Sequence, residues 1–257
     1  MSAGPRARQV GGGCVRFPLW TRGGMFVQLS RRSVLAGVGA AVIVPAAAGC
    51  LPARWGSRAD EGYTGPVAAA LGTEGHTVVV GDPGAPVTVR VYEDPSCPGC
   101  AEFQTEGSGP RLRRMAAEGD VQVHYVLGSF LGNGSKRAVN ALRASLDRGK
   151  FAELHEVLHR GQAAAKRRGG FTGGTLLSLA SSVDGLRDAG FDEAVRTGTH
   201  RDFVEAADRA VSTSWIKATP ALEVDGRPVG KGDQDVLDDP DALDRYLRRA
   251  RQRSARG

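Results

Sequence analysis

The chain holds only four cysteines among 257 residues: Cys14, Cys50, Cys97 and Cys100. A single C-x-x-C pair exists, and no histidine lies close to it in sequence, so a four-ligand zinc site lacks its donors. The five histidines are scattered. His155 and His159 stand four apart in His155-Glu156-Val157-Leu158-His159, which carries the H-E-x-x-H spacing; an ordinary helix surface with no metal is nevertheless the reading favoured there. Acid is missing from residues 1–49, which carry six arginines. Subtracting these leaves 28 basic and 28 acidic residues in 50–257, so the net charge of +6 belongs to the N-terminal stretch. The basic balance is therefore no sign of nucleic-acid binding by the rest of the chain. No apolar run reaches the length of a membrane span; Val34 to Ala48 is short, and Pro45 interrupts it. No internal repeat is present.

What is present centres on Cys97-Pro98-Gly99-Cys100. The run Val87 to Tyr92 before it alternates Val87, Val89 and Val91 with Thr88 and Arg90, the period of a half-buried strand. After Cys100 the pattern turns helical, through Ala101, Phe103, Leu112 and Met115 to about Glu118. Cys97 is thus expected at a helix N-cap, with Pro98 at the first helical position, where its missing N–H costs nothing. The free backbone N–H groups and the positive helix end would stabilise a Cys97 thiolate. Cysteines in such settings have a pKa of about 3.5–7.5, against an ordinary value near 8.5. A structural disulfide closing so short a loop would constrain the unfolded chain little. Thiol–disulfide exchange is the chemistry the pair suits, with Cys97 attacking and Cys100 closing the ring.

The rest of the chain divides readily. Residues 1–49 read as an export signal that is removed: Ser30-Arg31-Arg32-Ser33-Val34-Leu35 ahead of an Ala/Gly-rich core resembles a twin-arginine signal. Met25 already opens a complete signal of this kind. Ala47-Ala48-Gly49-Cys50 resembles a lipoprotein cleavage site, in which Cys50 is acylated; an ordinary cleavage site with an incidental cysteine is the alternative. Residues 50–72 then form a flexible, lipid-anchored tether, 73–250 one folded domain, and 251–257 a basic tail read as a disordered solubilising end, with contact to an anionic lipid surface as the alternative. Within the domain, strands are expected at 76–80, 87–92 and 121–127. A largely helical segment spans about 135–212. A hairpin turns at Asp225-Gly226, and a last helix opens at Asp239-Pro240. This order predicts an α/β fold, a mixed sheet covered by helices.

The order of elements, the C-P-x-C pair and the stretches Gly81 to Val89, Asp94 to Phe103 and Ala218 to Leu222 resemble the thioredoxin superfamily, specifically its DsbA-like branch with a helical insertion. The resemblance implies a thioredoxin-like fold and a thiol–disulfide oxidoreductase without cofactor. Its partners would be exported client proteins and a membrane redox partner, on the extracytoplasmic face of the membrane. It implies a cis Pro220 facing the cysteines, with Thr219 free to pair with substrate, and Pro98 and Gly99 shaping the active loop. Two departures stand out. Ser96 replaces the usual aromatic residue, and Pro98-Gly99 brings no extra thiolate donor. The family's buried acid should fall at Val91; Glu93 and Asp94 are expected at the surface, with substitution of either for that acid as the alternative. The oxidase direction is favoured. A reductase or isomerase of the same fold is the near alternative, and a non-catalytic peptide-binding lipoprotein the distant one.

Overall fold

The computed structural model describes residues 67–255. The export signal, Met25, Cys14, Cys50 and most of the tether lie outside the described residues. Six strands form one mixed sheet: β1 (Ala69–Leu71), β2 (Val78–Val80), β3 (Thr88–Glu93), β4 (Gln122–Leu127), β5 (Ala221–Val224) and β6 (Arg227–Pro228), ordered β1-β2-β4-β3-β5-β6. Helices α1 (Pro98–Thr105) and α2 (Gly109–Ala117) connect β3 to its parallel neighbour β4. The helical segment comprises α3 (Asn133–Leu146), α4 (Phe151–Arg167), α5 (Gly173–Ala180), α6 (Ala189–Thr197) and α7 (Arg201–Ser212). After the β5–β6 hairpin, a 3-10 turn leads into α8 (Pro240–Ser254). The expected fold class is the observed one, and no helix among the described residues is long and apolar enough to cross a membrane.

The central strands follow the alternation in the sequence. Val89 and Val91 of β3 and Val123 and Tyr125 of β4 are buried, while Thr88, Arg90, Gln122 and His124 are half-exposed. β5 runs antiparallel to β3, pairing Ala221 with Tyr92 and Leu222 with Val91. The start of β5 therefore meets the end of β3, which brings the segment before Ala221 to the residues after Glu93. β1 lies in the stretch read as the end of the tether. It pairs with β2, and its three residues were too few to show a period.

One helix was expected from the cysteines to about Glu118; two are found. Gly107 N still bonds Glu102 O, but Ser108 N turns away to Leu237 O at 2.8 Å. Pro110 has no N–H to offer the carbonyl one turn back. A Cβ on Gly107 would lie 2.5 Å from Leu237 O, so the break is also a close backbone crossing that a larger residue would disturb. α8 runs through Ser254, so most of the expected basic tail is its final turns. Arg249 and Arg253 there lie over the Tyr246 ring at 5.5 and 5.9 Å.

α8 is fastened to α2 by a buried fork, with Arg111 Nε and Nη2 donating to the two carboxylate oxygens of Asp244 at 3.0 and 3.1 Å. Removing one partner of such a pair leaves a buried charge without compensation. Asp244→Ala is therefore expected to destabilise the domain by about 3–5 kcal/mol, read as a lowered urea midpoint with unchanged slope.

Candidate active site

β3 delivers the site. Beyond Glu93 the chain turns on Asp94, whose Oδ1 accepts from Ser96 N at 2.8 Å and whose Oδ2 accepts from Leu131 N at 3.1 Å. Cys97 N donates to Asp94 O at 2.9 Å, and Ala101 N returns to Cys97 O, so Cys97 caps α1 with extended backbone and Pro98 in the first turn. α4 packs against α1. From it, the Gln162 side-chain amide donates to Pro95 O and Cys97 O, each at 2.8 Å. One side chain of the helical insertion thus holds the turn before the first cysteine.

The two thiols have different surroundings. Cys97 keeps 9 % of its surface and Cys100 none. Cys97 is lowered to about 5, first because the Cys100 thiol donates to it; burial opposes this, and Thr219 and the backbone N–H groups of Cys100 and Gly99 add to it. The backbone amides credited from sequence do contribute, behind the neighbouring thiol. Burial, followed by the proximity of Cys97 and Glu93, pushes the Cys100 thiol far up. At neutral pH the reduced pair is one thiolate and one thiol.

The Thr219–Pro220 bond is cis. Thr219 O lies 3.4 Å from Cys97 Sγ, and a Cβ built on Gly99 would stand 3.4 Å from Pro220 Cδ. The loop before β5 therefore lies against the cysteine turn, as the strand pairing requires. Trp215, upstream of this loop, sets its ring edge-on to Tyr92 at 6.1 Å and donates Nε1–H to Glu223 at 3.1 Å.

The expected surface positions of four residues are corrected. Glu93 and Asp94 are fully buried, and His155 and His159 are 1 % and 2 % exposed. Glu93 extends the inward set Val89, Val91 by the same period, so the alternation places it in the core. His155, His159 and Gln162 share the helix face of Phe151, Leu154 and Leu158. Gln104 donates to Glu93 Oε2 at 2.8 Å and is itself held by Arg113 at 2.7 Å. His155 Nε2 hydrogen-bonds Glu93 Oε1, and His159 Nε2 lies 3.6 Å from the same oxygen. Burial raises the Glu93 carboxyl, but the two imidazoles set against it outweigh burial and hold it below the usual carboxylate range. Burial lowers His155 against the pull of Glu93. A neutral ring still donates from Nε2, so the pair remains a carboxylate facing an N–H.

An anionic sulfur within reach of solvent, a sealed thiol beside it and a loop laid across both suit the making and breaking of disulfides; on a sheet of this topology they define a DsbA-like thiol–disulfide oxidoreductase. The chain belongs to the thioredoxin family, whose model, described as Thioredoxin, matches residues 73–246. It is 28 % identical over 153 residues to Disulfide bond formation protein D of Bacillus subtilis, covering 59 % of this chain and 68 % of that one. Among solved structures it resembles oxidised BdbD of B. subtilis, with a TM-score of 0.60 and 25 % identity, over 73 % of this chain and 98 % of that one. The fold is shared with MdbA, a thiol–disulfide oxidoreductase of Corynebacterium diphtheriae, at a TM-score of 0.56 and 22 % identity, over 74 % and 96 % of the two chains.

Proposed function

We propose that the protein is an extracytoplasmic oxidase that donates the Cys97–Cys100 disulfide to exported client proteins and is reoxidised by a membrane redox partner. Residues 69–254, from β1 through α8, are its catalytic domain, 1–49 a twin-arginine signal, and Cys50 an acylated anchor. A client thiolate attacks Cys97 Sγ, forming a mixed disulfide and expelling the Cys100 sulfur, which takes up a proton. A second client thiolate then attacks the client sulfur and releases Cys97 as its thiolate, which leaves the client oxidised and the pair reduced by two electrons. In the reverse sense Cys97 attacks and Cys100 resolves. Pro98 and Gly99 shape the turn, and Pro220 and Thr219 form the loop along which a client strand pairs. Beside Thr219 runs a groove of about 450 Å³, lined in part by Phe130, Val211, Ile216 and Ala218. Phe130 and its neighbour Leu131 are about half-exposed, which suits an unfolded apolar client.

The single observation carrying the oxidase direction is the Cys97 thiol lowered to about 5. A depressed thiol pKa favours the reduced state; this gain is complete above the ordinary value near 8.5 and fades as pH falls through 5. At pH 7 it amounts to about 2.7 kcal/mol, or roughly 60 mV toward a more oxidising potential. Equilibration with glutathione at pH 7 is expected to give a potential well above the roughly −270 mV of thioredoxin. A value at or below that level assigns the reductase alternative. Because only Cys100 binds a proton on reduction above pH 5, the potential should fall by about 30 mV per pH unit there, and by about 59 mV below it.

A further inference from the structure

β3 and α4 assemble a ligand set that neither segment holds alone. His155 and His159 lie one turn apart on one face of α4, and Glu93 ends β3. One donor atom from each lies within 4.8 Å of the others. His159 Nε2 is 3.6 Å from Glu93 Oε1, and His155 Nε2 contacts the same oxygen. Zinc bonds of about 2.0–2.2 Å place neighbouring ligand atoms of a tetrahedral site roughly 3.3–3.6 Å apart. The His159–Glu93 spacing already fits, and His155 need only part from Glu93 by a small side-chain movement.

A second observation is independent of this spacing. His159 is buried, and neither of its ring nitrogens has a hydrogen-bond partner. Buried polar groups are nearly always paired. The buried carboxylate it faces receives the charge of Arg113 only through Gln104. A cation between them would partner the imidazole and compensate the carboxylate together. Two imidazole nitrogens and one carboxylate oxygen suit zinc and the neighbouring first-row dications, whereas calcium and magnesium prefer oxygen alone.

We propose that Glu93, His155 and His159 bind one divalent cation of the zinc class inside the domain. The site uses neither thiol and does not rest on the oxidoreductase reading. The test uses the full chain with its Cys97–Cys100 disulfide formed and Cys14 and Cys50 alkylated, which removes every thiolate from competition. Cobalt(II) titration is expected to give visible ligand-field absorption that saturates at one equivalent and is displaced by zinc. Zinc should also raise Tm, as a ligand of the native state does. His159→Leu should weaken cobalt binding at least tenfold and abolish the Tm rise. Absence of both the saturating spectrum and the Tm rise overturns the proposal, as does unchanged affinity in His159→Leu. Should that variant not fold, X-ray absorption of the zinc-loaded parent decides: two imidazole ligands are expected, and fewer than two overturn the site.

Discussion

Cys97→Ser should abolish disulfide transfer to a reduced client, whereas Cys100→Ser should still attack a client disulfide through Cys97, expel one client thiolate and accumulate the unresolved mixed disulfide. The difference follows from access and ionisation. Cys97 retains some surface and is lowered to about 5, whereas Cys100 is sealed and raised. At pH 7 about 99 % of a thiol with that pKa is thiolate, against about 3 % of an ordinary one near 8.5. The gain for attack is small, because nucleophilicity falls along with basicity by a Brønsted factor of about 0.4–0.5. The larger gain is in departure: a weakly basic sulfur leaves a mixed disulfide faster, which favours release of an oxidised client. Iodoacetamide applied to the reduced protein should therefore modify Cys97 alone among the pair, with a rate midpoint near pH 5. Equal labelling of both thiols, with a midpoint near 8.5, would contradict the assignment. Adducts on non-reducing gels should be plentiful for Cys100→Ser and absent for Cys97→Ser.

Glu93→Ala should lower stability by about 3–5 kcal/mol. The carboxylate is the acceptor for both Gln104 and His155, so its loss strands two buried donors and opens a cavity between β3 and α4. For a domain of this size each kcal/mol moves Tm by about 2–4 °C, which predicts a fall of roughly 6–20 °C. Glu93→Gln keeps the shape and an acceptor oxygen and should lose distinctly less. Calorimetry on the two variants separates a packing requirement from a requirement for the acceptor. Equal, small losses in both would mean that the cluster contributes little.

Much of this was legible in the chain. The valines of β3, the turn residues of the hairpin and the proline after Cys97 each have a local cause, and each stands where that cause puts it. The cluster beneath the thiols also has a signal in the chain: the H-E-x-x-H spacing of residues 155–159 pairs two histidines on one helix face, while the polarity of Glu93 pointed to the surface. Their spacing put all three on buried faces: Glu93 by the period of two from Val89 and Val91, and the histidines by the helical stripe of Leu154 and Leu158. Gln162 sits on the same stripe and was missed because its polarity, too, pointed to the surface. The break after Glu106 depends on a crossing with Leu237, more than a hundred residues away, and no local window contains it.

The amide of Gln162 reaches two carbonyls of the cysteine turn at once, and it comes from the middle of the inserted helices. The insertion is therefore no detachable ornament on an older domain. Shortening or shifting α4 by even one residue would swing that amide about 100° around the helix axis and release the turn. α4 and the C-x-x-C turn are therefore bound to change together or not at all.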